Sequence, residues 1–327
     1  MTGAIAGTAI FRARRANRLQ VLTVTVNNDC QLACSHCYLQ YDRSGRQGLI
    51  AEEFLQVIDE CAFDHLAIVG KEPLVNKASA DIVSRMVSAC VERGKTVSLI
   101  TNGVGLRLLS DETLRDLCYV DVSADGAYDF YERYRGPKWG KLVANIEDSY
   151  SRGLREVNIL SVANAETIHA LEPLIDAVQR LPVTRHVISP YVLTANEGHN
   201  AVGGVPLKQL LQKLSSCSTF MSASKCSLLV DDLHASQSGL FGQDFLRYVK
   251  AIGMANKVTY IAGDPLEYGI VRVTYDKLLL TPLDSIHPAR YGEMGHRISS
   301  WRTAAGEIAE FFKAKSAALA LRPLLAG

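Results

Sequence analysis

The feature that most limits what this chain can fold into is a regular alternation of short β-branched runs with longer amphipathic segments. Leu19 to Val26 (LQVLTVTV) reads as a first strand, being rich in β-branched residues. Ala51 to Ala62 reads as a helix, with Phe54, Leu55, Ile58 and Cys61 at helical spacing. His65 to Val69 is a second strand, Asn76 to Glu92 a helix stopped by Gly94, and Thr96 to Ile100 a third strand. A helix from Ser110 to Leu117, a strand from Tyr119 to Ser123 and a helix from Lys141 to Arg152 follow. Glu156 to Val162 (strand), Ala165 to Gln179 (helix) and His186 to Leu193 (strand) complete six alternations. Repeated βα units imply parallel strands, right-handed crossovers and helices outside. Six such units fit an open doubly wound sheet or a partial barrel, and periodicity does not choose between them.

Chemistry in such folds collects at the C-terminal ends of the strands. Directly after the first strand stands Cys30-Gln31-Leu32-Ala33-Cys34-Ser35-His36-Cys37-Tyr38. Iron–sulfur clusters are held by cysteine thiolates. Three thiolates this close can take three irons of a four-iron cluster and leave the fourth open to something other than protein. Zinc is the competing reading, because Cys₃His sites exist and His36 stands between two of the cysteines. A structural zinc site usually draws on two paired knuckles, and no second CxxC follows in the chain.

The form C-x-L-x-C-x-H-C-Y resembles the cluster loop of the radical S-adenosylmethionine (SAM) enzymes, and most closely the branch that often carries a C-terminal SPASM or twitch extension. The resemblance implies a (β/α)₆ partial TIM barrel over residues 19–200, a lead-in at 1–18 and a small α+β extension at 201–327. It implies a [4Fe–4S] cluster on Cys30, Cys34 and Cys37 whose open iron is chelated by SAM, with Tyr38 closing the loop beside the cofactor. Reduction would then yield a 5′-deoxyadenosyl radical that takes a hydrogen atom from an unactivated carbon.

The same resemblance gives meaning to the later strand ends. Gly70-Lys71-Glu72-Pro73 looks like the family's GGE motif, whose glutamate and backbone meet the SAM amino group; a carboxylate suits an ammonium. Lys71 replaces the usual second glycine, which matters only if that position needs a positive φ. Thr101-Asn102-Gly103 resembles the TNG loop beside the ribose and methionine. Ser123, Asp125 and Arg135, in Ser123-Ala124-Asp125-Gly126 and Arg135-Gly136, match the residues that contact ribose and carboxylate, with Arg133 competing for the arginine role. Ser189, on the sixth strand, would lie near the adenine.

Composition narrows the partners. With 35 basic and 34 acidic residues among 327, the chain has no electrostatic footprint for nucleic acid. No run approaches the roughly 18 apolar residues a membrane span needs. The cluster Arg12-Ala13-Arg14-Arg15 lacks the apolar segment of a secretory or twin-arginine signal, so a cytoplasmic location is expected. Scattered thiols at Cys61, Cys90, Cys118, Cys217 and Cys226 suit a reducing compartment.

The last third is expected to hold helices at 206–214 and 242–252, a strand at 257–261, and a hairpin. The hairpin joins Gly269–Tyr275 to Leu278–Pro282 across Asp276-Lys277, and a helix at Thr303–Leu321 follows. With Tyr291-Gly292-Glu293-Met294-Gly295, the hairpin resembles the start of a SPASM or twitch domain. No cysteine follows Cys226, so the auxiliary clusters of that domain have no ligands there. A radical dehydrogenase needs an acceptor for its electron, so a redox-neutral outcome is expected: epimerisation, rearrangement, elimination or carbon–carbon coupling. An epimerase would need a hydrogen donor, and Cys217 and Cys226 are the candidates. The expected substrate is a small polar molecule (sugar, nucleoside or aminoglycoside-like), with flavodoxin or ferredoxin as electron donor. Peptide modification and radical dehydrogenation are the alternatives within the same chemistry. An inactive iron–sulfur scaffold or sensor is the non-enzymatic one.

Overall fold

The structure, a computed structural model, describes residues 20–34, 36, 37, 39, 48–191, 202–217, 226–232, 246–255, 257–262, 270–281 and 291–325. The alternation read from the sequence is present throughout. Strands β1 (Val21–Thr25), β2 (His65–Val69), β3 (Thr96–Thr101), β4 (Tyr119–Ser123), β5 (Val157–Ala163) and β6 (Arg185–Pro190) lie side by side, all parallel. Between them run helices α1 (Ala51–Glu60), α2 (Lys77–Glu92), α3 (Asp111–Asp116), α4 (Tyr128–Arg135), α5 (Trp139–Ser151) and α6 (Leu171–Val178). The boundaries have local causes. Asn76 caps α2 by accepting the Ser79 amide at 2.9 Å, and Gly94 beyond its end takes φ +67°. Ser110 caps α3 by accepting the Thr113 amide.

The parallel run does not stop at six. After α7 (Leu207–Ser216), β7 (Ser227–Asp232) pairs with β6, and β8 (Val258–Ala262) pairs with β7, both parallel. The hairpin is found as β9 (Ile270–Thr274) and β10 (Leu278–Leu280), with Leu279 opposite Val273 and Lys277 at φ +70° in the turn. Its position is not legible in the sequence: β9 returns to the far edge and pairs in parallel with β1, Thr23 opposite Arg272. A two-residue strand, β11 (His296–Arg297), closes on β10. The strands after residue 201 therefore extend the same sheet, whose order is β11-β10-β9-β1-β2-β3-β4-β5-β6-β7-β8.

The sheet curls into a barrel-like wall. Ile270 of β9 packs against the pair Val187 and Leu229 of β6 and β7, a contact across the interior that a flat sheet could not make. Outward-facing residues such as Leu22, Val24, Leu66, Ile68, Val120 and Val122 form the main core with Phe54, Ile58, Val83, Met86 and Ile146 of the helices. Side-chain alternation therefore puts Asp121, Ser123, Ser189 and Arg272 on the inward face. The final helix, α8 (Ala304–Leu325), brings Ile308 and Phe312 onto this core, and Trp301 just before it meets Phe54 edge-on at 5.3 Å. Among the described residues no helix is long and apolar enough to cross a membrane.

Two elements depart from the sequence reading. α4 is not among the helices read from the sequence: it begins at Tyr128, which holds φ +52°, is closed by Gly136 with φ +101°, and fully buries only Tyr131. A helix with so narrow an apolar stripe gives little periodic signal. β7 escaped because its apolar centre is three residues, Leu228 to Val230, ending in two aspartates.

Candidate functional site

The site grows from the C-terminal end of β1. Asn27, two residues past β1, binds the chain that leaves β2: its side-chain amide donates to the Glu72 carbonyl at 2.9 Å and to Ser79 Oγ at 3.0 Å. Its backbone carbonyl accepts the Lys71 amide at 3.2 Å. Lys71 is absent from the described non-glycine residues with positive φ, which are Tyr128 and Lys277. Lys71 therefore costs no backbone strain.

Glu72 is 1% exposed, and its carboxylate is fully engaged within the chain. It accepts the Thr101 hydroxyl at 2.6 Å and the amides of Asn102 at 2.7 Å and Leu74 at 2.9 Å. Burial pushes its pKa up and these donors pull it back. The side chain expected to meet an ammonium thus works inward, fixing the loop after β3. That loop turns at Gly103, whose φ is +79° and whose missing Cβ leaves room for Leu142 and Val122. Asn145 of α5 donates to the Gly103 carbonyl at 2.9 Å, holding the turn from behind.

The fixed loop reaches the cysteine run: the Asn102 side-chain amide lies 3.8 Å from Cys30 Sγ, and the Leu32 amide donates to the same sulfur at 3.3 Å. The Cys37 amide donates to the Cys34 carbonyl at 3.1 Å, a tight turn around His36. Burial pushes the Cys30 thiol up to about 11. Cys34 is raised by burial too, while the Arg135 guanidinium pulls it down. Tyr38 lies outside the described residues.

From the other side comes the end of β4. Asp125 is completely buried; its Oδ2 accepts Arg135 Nε at 2.7 Å and Nη2 at 2.6 Å, and lies 3.3 Å from His36 Nε2. Its Oδ1 accepts the Val162 amide at 2.8 Å. Burial works to raise the Asp125 carboxyl, but Arg135 and His36 outweigh it and hold it below the ordinary range. Tyr134 stacks on His36 at 4.8 Å, nearly parallel, and accepts the Asn164 side-chain amide at 2.7 Å. Of the two candidate arginines, Arg135 reaches this cluster, whereas Arg133 is exposed and bonds the Asp129 carbonyl. The parts sequence reasoning missed are Asn27, Tyr134 and Asn164, and no motif marks them.

The structure gathers Cys30, Cys34, Cys37, Gly70, Lys71, Glu72, Thr101, Asn102, Ser123, Asp125 and Arg135 at the same end of adjacent strands, with Ser189 at the corresponding end of β6. It does not bring Cys217 or Cys226 there. Cys217 caps the far end of α7 and is buried among Leu171, Leu210 and Leu214, and Cys226 precedes the first residue of β7. Both lie at the N-terminal ends of the strands, roughly 15 Å of strand away from the cysteine run.

The donor set fits an iron–sulfur cluster. Among the described residues no three His, Cys, Asp or Glu side chains converge as ligands of one ion must. A four-iron cluster makes no such demand, because each thiolate takes a different iron. With its pKa pushed up, the Cys30 thiol is neutral by itself, and a coordinated metal deprotonates such a group outright.

Comparison with known proteins agrees with this reading. A family profile described as the Radical SAM superfamily matches residues 24–178, from β1 to the end of α6. A probable GTP 3′,8-cyclase of Methanopyrus kandleri is 28% identical over 178 residues, 52% of this chain and 56% of that protein. The GTP 3′,8-cyclase of Peptoclostridium acidaminophilum is 30% identical over 158 residues, 44% of this chain and 47% of that one. The chain thus spans about half the length of the curated relatives it matches. The crystal structure of Streptococcus suis SuiB bound to S-adenosylmethionine superposes with a TM-score of 0.62 over 88% of this chain and 65% of that one, at 14% identity, a likeness of fold. Residues 24–178 of this chain thus match the domain of the radical SAM superfamily, whose enzymes use a [4Fe–4S] cluster and SAM.

Proposed function

We propose that the protein binds a [4Fe–4S] cluster on Cys30, Cys34 and Cys37, cleaves SAM reductively, and abstracts a hydrogen atom from a small polar substrate with a redox-neutral outcome. When bound, the reduced cluster and SAM supply a carbon radical able to attack an unactivated C–H bond. The observation that carries the reading is the convergence of the GKE and TNG loops and the Asp125–Arg135 pair on the three cysteines.

Each residue has a task in it. The three thiolates hold three irons and leave one for SAM. Asn27 and Glu72 present the Gly70–Lys71 backbone and the Asn102 loop to the cofactor. Ser123 and Ser189 offer hydroxyls from the inward faces of β4 and β6. Asp121 and Asn158, joined at 2.9 Å, close the interior below them.

Two features support the redox-neutral branch and the substrate class. The other thiols are dispersed: Cys61, Cys90, Cys118 and Cys217 are buried singly, and Cys226 is half-buried beside β7. The curated relatives carry the name of a nucleotide cyclase, which favours a nucleotide or nucleoside within the small polar class. Arg272 on the inward face of β9 is a cation suited to a substrate phosphate. Flavodoxin or ferredoxin is the electron donor in this reading, and the cytoplasm its location.

The test is iron and sulfide per chain after anaerobic reconstitution, with 5′-deoxyadenosine measured under a strong reductant. About four irons in the parent and essentially none after Cys30, Cys34 and Cys37 are changed to alanine is the expected result. Iron retained in the triple variant would reveal a second cluster and bring a dehydrogenase forward. A parent that takes zinc and makes no 5′-deoxyadenosine would overturn the proposal.

A further inference from the structure

We propose that Asp125 is a latch for the cysteine loop: its buried carboxylate ties His36, inside that loop, to Arg135 at the end of α4 and to the backbone of β5, and so sets how tightly the cluster is retained. The inference rests on the cluster reading above but concerns retention instead of catalysis.

His36 is the natural handle on the loop. It stands between Cys34 and Cys37, so fixing its ring fixes the path of the chain that presents both sulfurs. The ring is held on two sides: Asp125 Oδ2 lies 3.3 Å from Nε2, and the Tyr134 ring stacks on its face at 4.8 Å with planes 3° apart. Phe130 continues the stack, 5.3 Å from Tyr134.

The other end of the latch is rigid. Asp125 Oδ1 accepts the Val162 amide, and the Asn164 side chain, on the same strand exit, donates to the Tyr134 hydroxyl. Both partners of His36 are thereby pinned to the end of β5. Arg135 adds two bonds to the carboxylate and lies 3.4 Å from His36, so one buried anion organises three separate segments. A carboxylate that serves only to bind a cofactor would have no need of full burial behind an arginine.

Removing one partner of such a pair leaves the other charge buried and uncompensated, which loosens everything it held. Outer partners of metal ligands typically change metal affinity by 10–100-fold. The experiment reads iron release from anaerobically reconstituted holoprotein into a ferrous chelator, followed by absorbance, for the parent and for Asp125→Asn, His36→Gln and Glu156→Gln. Glu156 forms a buried pair with Arg185 at the opposite end of the strands and reports general loss of stability. The expected result is roughly 10- to 100-fold faster release for Asp125→Asn and His36→Gln, with Glu156→Gln like the parent. Release unchanged in both latch variants, or equally fast in Glu156→Gln, overturns the latch. If Asp125→Asn does not fold, His36→Gln decides alone, since it keeps the carboxylate–arginine pair. A parent that never acquires a four-iron spectrum overturns the cluster reading instead, so the two failures are distinct.

Discussion

The backbone amide of Asn102 donates to the Glu72 carboxylate at 2.7 Å, joining two loops that are 30 residues apart in sequence and neighbours at the ends of β2 and β3. The bond explains why an acidic residue is placed where almost no solvent reaches it. Glu72→Gln is expected to destabilise the protein by about 1–3 kcal/mol, because a carboxamide nitrogen would face an N–H or O–H donor. It should also weaken SAM binding through the displaced Asn102 loop. Urea denaturation and equilibrium SAM binding check both effects, and an unchanged midpoint would contradict the assigned role.

Gly103 carries a separate constraint. Its φ of +79° disfavours any L side chain, and an added Cβ would sit 2.6 Å from Leu142 Cδ1 and 2.9 Å from Val122 Cγ1. Gly103→Ala is therefore expected to cost more than about 1 kcal/mol, the level at which a compatible Gly→Ala change would instead stabilise. Thermal melting should show a clear drop. A rise in melting temperature would show that the loop has another accessible conformation.

His186 provides a pH signature from behind the site. It is fully enclosed; its Nε2 bonds Ser161 Oγ at 2.8 Å, and that hydroxyl in turn donates to the Ala124 carbonyl. Burial lowers its pKa from 6.5 to about 4. The unfolded chain then takes up a proton between these values while the folded one does not. Stability is therefore expected to be full above about pH 6.5 and to fall as pH drops toward 4, by up to roughly 3 kcal/mol. Unfolding free energies measured across this range should flatten in His186→Gln, and an equal slope in that variant would assign the pH dependence elsewhere.

Trp301 ties the C-terminal segment to the barrel. It is 2% exposed, meets Phe54 of α1 edge-on, and has Lys277 Nζ 5.8 Å from its ring centre. Trp301→Ala is expected to lower stability by about 3–5 kcal/mol, the usual cost of truncating a large buried aromatic. Chemical denaturation followed by circular dichroism measures it. A loss under 1 kcal/mol would mean that α8 packs independently of this ring.

The features legible along the chain are local ones. β-branched runs and helical spacing located the first six strands and most of their helices, because backbone periodicity is written in consecutive residues. The cysteine spacing and the GKE and TNG turns were equally legible, each lying within a few residues of chain. The placement of the hairpin emerges only in three dimensions: β9 pairs with β1, some 250 residues earlier, and nothing in either strand names its partner. The tertiary structure also decides what the acidic residues do. Glu72 and Asp125 read as cofactor contacts in sequence, yet each is buried against donors brought from other strands. Cys217 and Cys226, plausible hydrogen donors by chemistry, came to the opposite end because a helix returning across a parallel sheet finishes where the next strand begins. Pairing and burial depend on which segments meet in space, and a linear chain does not record that locally.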